Sequence, residues 1–120
     1  MSGGNGNLVS HIVKANKENT IHYPPRSSMD VSDYKEVKEW IDLVKPDVFI
    51  HSAAFTRPMS KHQTHPTESI RSNIVGTSNV AMACLESGVK LVYISTDYVY
   101  PGTDGNYKET DALSPFEGDN

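Results

Sequence analysis

Lys90 to Tyr100, KLVYISTDYVY, is the stretch on which the fold class turns. Its first half, Leu91-Val92-Tyr93-Ile94, is β-branched, aromatic and uncharged, the composition that suits a pleated surface. A run this apolar predicts a strand buried on both faces of a parallel sheet. Polar residues begin at once with Ser95, Thr96 and Asp97. In open α/β sheets ligands bind beyond the carboxyl ends of the strands, so two hydroxyls and a carboxylate stand where chemistry is usually done. The competing reading is an Asx or Ser/Thr turn that only closes the strand.

Working upstream, Thr67 to Ser87 predicts a long helix with Ile70, Ile74, Val75, Val80, Ala81, Ala83 and Leu85 apolar and Gly88 as its stop. Asn73 falls inside it, and its side chain either faces solvent or cross-braces a neighbouring loop. Phe55 to Pro66 reads as a polar loop beside a substrate, carrying Arg57, Lys61, His62 and His65. His62 and His65 have helical spacing but no supporting Cys, Asp or Glu, so no metal is expected. Asp47-Val48-Phe49-Ile50 predicts a second buried strand. The small residues of His51-Ser52-Ala53-Ala54 at its end leave room for a flat ligand, or else pack a loop onto a helix. Before them, Val37, Trp40, Ile41 and Val44 mark an amphipathic helix. Ser32 or Asp33 is its N-cap and Pro46 its stop.

The amino-terminal MSGGNGN has three glycines in four positions, followed by Leu8, Val9, Ile12 and Val13 at helical spacing. This predicts a glycine turn opening a helix, whose N–H groups can approach a phosphate. A flexible tail is the alternative. Val9 stands where a third glycine would allow close helix–strand packing. Asn19 to Tyr23 predicts a short strand, ended by Pro24-Pro25. Arg26 follows, with no Asp or Glu between Ile21 and Ser28. After the second strand of a dinucleotide fold, an acid binds the ribose 2′-hydroxyl and an arginine accommodates a 2′-phosphate. Arg26 therefore favours NADP over NAD, with a solvated surface arginine as the other reading.

A chain of 120 residues suffices for one small domain. Its net charge of -4, with no basic stripe, argues against nucleic acid as a partner. No apolar run approaches a membrane span, and nothing resembles a signal peptide. The single cysteine, Cys84, forms no internal disulfide, which makes a cytoplasmic setting the expectation. It lies in an apolar helical stretch and reads as a buried small hydrophobe. The chain shows no internal repeat. Pro101 to Asn106 is rich in turn residues, and Glu109 to Pro115 continues without periodicity.

Helices and strands in alternation imply a parallel α/β sheet. The runs PDVFIHSAAFT, HPTESIRSNIVGTSNVA and LVYISTDYVYPGT, with Glu109-Thr110-Asp111, resemble the extended short-chain dehydrogenase/reductase superfamily and, within it, the dTDP-4-dehydrorhamnose reductase family. The resemblance covers nearly the whole chain. It implies a Rossmann-like parallel sheet with flanking helices, residues 1–120 forming part of the NAD(P)-binding domain. Gly3 and Gly6 would flank the pyrophosphate, with Asn5, Asn7 and Leu8 in the same cofactor set. Arg26 would sit by the adenosine 2′-phosphate, and Asp30 and Val31 would contact the adenine. Ala53, Ala54 and Thr56 would line the ribose and nicotinamide, and Asn73 would brace the active-site backbone. Thr96 matches the family's catalytic Ser/Thr, with Asp97 and Tyr98 beside it at the substrate.

The implied activity is NADP-dependent reduction of a nucleotide-linked 4-keto-6-deoxy sugar in dTDP-rhamnose biosynthesis, with NAD as the alternative cofactor and a homodimer of the complete parent. A nucleotide-sugar epimerase or dehydratase using NAD is a second reading. A non-catalytic regulatory subunit of the methionine adenosyltransferase type is a third. Three departures stand out. The family's first strand, before the glycine turn, is missing, and Val9 replaces the third glycine. The catalytic Tyr, with Lys four residues later, and the substrate-binding domain would fall past Asn120. The expectation is a fragment that does not turn over alone.

Overall fold

The computed structural model describes residues 1–56, 58–102 and 105–114. Arg57, Thr103, Asp104 and Pro115 lie outside the described residues. In chain order the elements are α1 (Asn7–Ala15), α2 (Tyr34–Val44), β1 (Val48–His51), α3 (Ser60–Thr64), α4 (Pro66–Ile70), a π-helical turn (Arg71–Val75), α5 (Gly76–Glu86), β2 (Lys90–Tyr93) and a 3-10 turn (Asp97–Val99). The class is α/β and Rossmann-like. β1 and β2 pair in parallel, with Phe49 opposite Leu91 and His51 opposite Tyr93.

Helix α2 starts where its chemistry dictates. The Asp33 carboxylate accepts from the N–H groups of Lys35 at 2.9 Å and Glu36 at 3.2 Å, a cap whose loss costs about 1 kcal/mol. The helix ends at Val44, with Lys45 left-handed at φ 48° before Pro46. Its buried stripe, Val37 and Ile41, enters a core with Met29, Val31, Phe49, Val80, Ala83 and Cys84. Each large apolar side chain buried there contributes roughly 1.5–3 kcal/mol. Trp40 meets Phe49 edge-on, with ring centroids 6.2 Å apart. The Tyr34 hydroxyl donates to the Glu86 carboxylate and ties α2 to α5. Cys84 packs as a small hydrophobe, and burial pushes its thiol pKa up.

Four local expectations need correction. β2 is not buried on both faces: Val92, Tyr93 and Ile94 are 38%, 53% and 44% exposed. β1 is its one sheet partner among the described residues, so no strand shields its other edge. Asn19–Tyr23 is no strand. The Met1 nitrogen donates to His22 O at 2.6 Å and Ser2 N–H donates to Ile50 O at 3.0 Å. These two residues thus lie between the segment and β1, and one bond to each side is too little for a ladder. Within Phe55–Pro66 the chain forms α3. Finally, the long helix runs from Pro66 to Glu86 but passes through the π turn, where Gly76 N–H donates to Arg71 O. Gly88 at φ 65° follows its end. No helix among the described residues is long and apolar enough to cross a membrane.

Candidate functional site

A cleft of about 250 Å³ opens at the carboxyl end of β1. Its walls are the glycine turn, the segment from Pro24 to Val31, the loop Ser52–Phe55, and Ser72.

The glycine turn is shaped by close approach. Gly3 is left-handed at φ 80°, a conformation that side chains disfavour. A Cβ on Gly4 would lie 2.5 Å from the carbonyl oxygens of Tyr23 and Pro24, so that wall closes only on glycine. Gly6 N–H donates to Gly3 O at 2.7 Å and closes the turn. Helix α1 then begins with no side-chain cap and no acidic residue in its first turn. Its first intrahelical bond is Ser10 N–H to Gly6 O at 3.1 Å. The amides of Asn7, Leu8 and Val9 precede that bond, and the helix dipole adds partial positive charge there. Such an end accepts an anion.

On the opposite side, Arg26 Nε donates to Asp30 Oδ2 at 2.9 Å. Asp30 Oδ1 accepts from Ser32 N–H and Ser32 Oγ, both at 2.9 Å. Burial raises the Asp30 pKa, but the hydrogen bonds from Ser32 and Arg26 outweigh it and leave the carboxyl below its usual range. Arg26 thus has an acidic partner beyond the Ile21–Ser28 window, brought close by the turn at Arg26–Ser28. Val31 is pinned from behind. Asn79 Nδ2 donates to Val31 O at 3.0 Å, and a Cβ on Gly76 would lie 2.7 Å from Val31 Cγ2.

The third wall hangs on buried polar groups. Ser2 and His51 are 0% and 1% exposed. The Ser2 hydroxyl lies 2.7 Å from His51 Nδ1, and His51 Nε2 lies 3.1 Å from Thr77 Oγ1. Ser2 Oγ also accepts from the N–H groups of Ser52 and Ala53, each at 3.1 Å. Asn73 takes the cross-bracing alternative: it bonds the N–H and the C=O of Phe55. Burial holds the His51 pKa below its ordinary value.

Gly3, Asn5, Gly6, Arg26, Asp30, Val31, Ala53 and Ala54 all line this one cleft. Asn7 and Leu8 follow in the first turn of α1, Thr56 is exposed past the wall, and Asn73 sits behind it. Thr96, Asp97 and Tyr98 do not line it. They lie beyond β2, whose carboxyl end is held beside that of β1 by Ile94 N–H donating to His51 O at 3.1 Å. Thr96 caps the 3-10 turn, accepting from Tyr98 N–H at 3.2 Å, with its hydroxyl 3.4 Å from Asp97 Oδ1. His62 packs against Phe55 and pairs with the Ser69 hydroxyl at 2.7 Å. Gly4, Ser2, His51, Thr77 and Ser72 were not anticipated as site residues. One signal for them was visible: a histidine ending an otherwise apolar strand.

A sequence model described as the RmlD substrate binding domain matches residues 1–118. The chain belongs to that family. A dTDP-4-dehydrorhamnose reductase of Salmonella typhimurium is 39% identical over 88 residues, covering 72% of this chain and 29% of that protein. The methionine adenosyltransferase 2 subunit beta of Xenopus tropicalis is 32% identical over 125 residues, covering 97% of this chain and 37% of that protein. The crystal structure of a dTDP-4-dehydrorhamnose reductase from Bacillus anthracis, in complex with NADP, superposes with a TM-score of 0.86 at 30% identity. That match covers 95% of this chain and 42% of the other. The chain therefore spans about a third of the length of the curated relatives it matches.

Proposed function

We propose that residues 1–120 are the cofactor-binding part of a cytoplasmic, NADP-dependent reductase of a nucleotide-linked 4-keto-6-deoxy sugar. One observation carries the reading: eight residues assigned to the cofactor from sequence line a single cleft with an uncapped helix end at its edge. The residues fit the group. Gly3 and Gly4 leave a floor without side chains, and the α1 amides suit a pyrophosphate. Arg26 uses Nε on Asp30, and a guanidinium has four further N–H donors for a 2′-phosphate.

When bound, the cofactor supplies the hydride for the ketone carbon. The chain's own task is to orient and polarise. Ala53, Ala54 and Thr56 line the path toward the ribose and nicotinamide, and Asn73 holds that backbone through Phe55. The Thr96 hydroxyl donates to the ketone oxygen as negative charge develops on it, flanked by Asp97 and Tyr98 on the sugar. The test is NADPH oxidation by the complete reductase chain with a dTDP-linked 4-keto-6-deoxy sugar. Turnover with that substrate is expected, and none with its 4-hydroxyl counterpart in the same direction.

The similarity to methionine adenosyltransferase subunits beta over 97% of the chain favours one second reading, a non-catalytic regulatory subunit. It predicts NADP binding without turnover, and association with a methionine adenosyltransferase catalytic subunit.

A further inference from the structure

We infer that His51 is a positioning residue of the cleft: its ring couples the Ser2 hydroxyl to Thr77 Oγ1 and thereby holds both ends of the Ser52–Phe55 wall. The proton order follows from chemistry. The Asn73 carbonyl only accepts, so the Thr77 hydroxyl donates to it at 2.8 Å. Thr77 Oγ1 then accepts from His51 Nε2–H at 3.1 Å. The ring is neutral, so Nδ1 is an acceptor and the Ser2 hydroxyl donates to it at 2.7 Å. That leaves the Ser2 oxygen lone pairs for the amides of Ser52 and Ala53.

A charged ring would break this order. It would aim a second donor at a Ser2 oxygen that already accepts twice, in a site where His51 is 1% exposed. The network is complete, and a complete buried network specifies one arrangement. On its far side, Asn73 grips Phe55 from within the π turn, the kind of helix irregularity that recurs at functional sites. The ring of Tyr93 lies beside His51, 5.8 Å away between centroids and tilted by 31°. One imidazole thus links β1 to the residues before the glycine turn and to Thr77 of α5, whose hydroxyl carries the chain on to Asn73 in the π turn.

The experiment combines nitrogen-15 spectra of the imidazole and backbone with NADPH titration of the protein and three variants. In the unmutated protein the ring is expected neutral, with its proton on Nε2. His51→Leu keeps volume and removes both polar contacts; it should shift the Ser52, Ala53 and Phe55 amides together and weaken NADPH about ten-fold. His51→Gln restores a donor near Nε2 and should recover most of that loss. Thr77→Val should move the Ser52 and Ala53 amides across the ring, and it keeps the test open if His51→Leu fails to fold. A proton on Nδ1, a charged ring, or unmoved Ser52 and Ala53 amides in Thr77→Val would overturn the inference. So would NADPH affinity unchanged in folded His51→Leu. The affinity measurement rests on the NADP reading; if the unmutated protein binds no NADPH, that reading fails and the spectra still decide the coupling.

Discussion

The Asn73 side-chain amide grips the main chain of Phe55 from both sides: Phe55 N–H donates to Oδ1 at 2.7 Å, and Nδ2 donates to Phe55 O at 2.9 Å. The two residues are 18 apart in sequence and belong to a helix and a loop. Asn73→Ala leaves a donor and an acceptor of a half-buried loop without partners, at about 1–3 kcal/mol. Denaturant unfolding should show that loss, with weaker NADPH binding beside it. Asn73→Asp keeps the acceptor and loses the donor, so it should fall between the two. Equal stability of Asn73→Ala and the unmutated chain would mean the loop is held elsewhere.

Arg26 governs the choice of cofactor on the reading above, but it does not act alone. Its partner Asp30 must share it with a 2′-phosphate, and the arginine side chain is 73% exposed. Arg26→Ala should therefore remove the preference for NADPH over NADH, by about 1 kcal/mol. Asp30→Asn keeps an acceptor for Ser32 and removes a negative charge from the phosphate's neighbourhood. It should widen the preference. Parallel titrations with both cofactors check the pair, and equal affinities in the unmutated protein would refute the assignment of Arg26.

Thr96 caps a turn and, on the function proposed above, also polarises the ketone, so two readouts on one variant tell the tasks apart. Its oxygen caps the 3-10 turn through Tyr98 N–H. Thr96→Val should cost about 1 kcal/mol of stability. It should also lower kcat about 10²-fold with NADPH affinity retained, the scale for losing one donor to a developing oxyanion. Thr96→Ser keeps both tasks. A lowered Tm with kcat intact would reduce Thr96 to a turn residue.

Acid should destabilise the chain through His51. Burial depresses its folded-state pKa below the ordinary 6.5. The unfolded chain then binds more protons in the window between those two values. The stabilising contribution is whole above pH 6.5 and is lost as pH falls through the folded-state value. Unfolding free energies measured on both sides of pH 6.5 should decline toward acid, and His51→Gln should flatten that part of the curve.

What the sequence determined by itself is what short-range chemistry determines. A cap at Ser32 or Asp33, the Val37–Val44 stripe, the stop at Gly88 and the apolar core of β1 are properties of neighbours along the chain. The glycine turn before α1 stood beside a flexible tail on composition alone, and the family resemblance put the turn ahead. Tertiary structure decided how these parts meet. Gly4 matters because the carbonyls of Tyr23 and Pro24 lie against it. Asn19–Tyr23 has strand composition and is no strand, because a ladder needs a partner as well as a propensity. The apolar run at β2 is half exposed for want of a second neighbouring strand among the described residues. His51, Ser2 and Thr77 are ordinary letters 26 and 49 positions apart. Only folding brings them within hydrogen-bond reach, and only burial makes each of those bonds costly to lose.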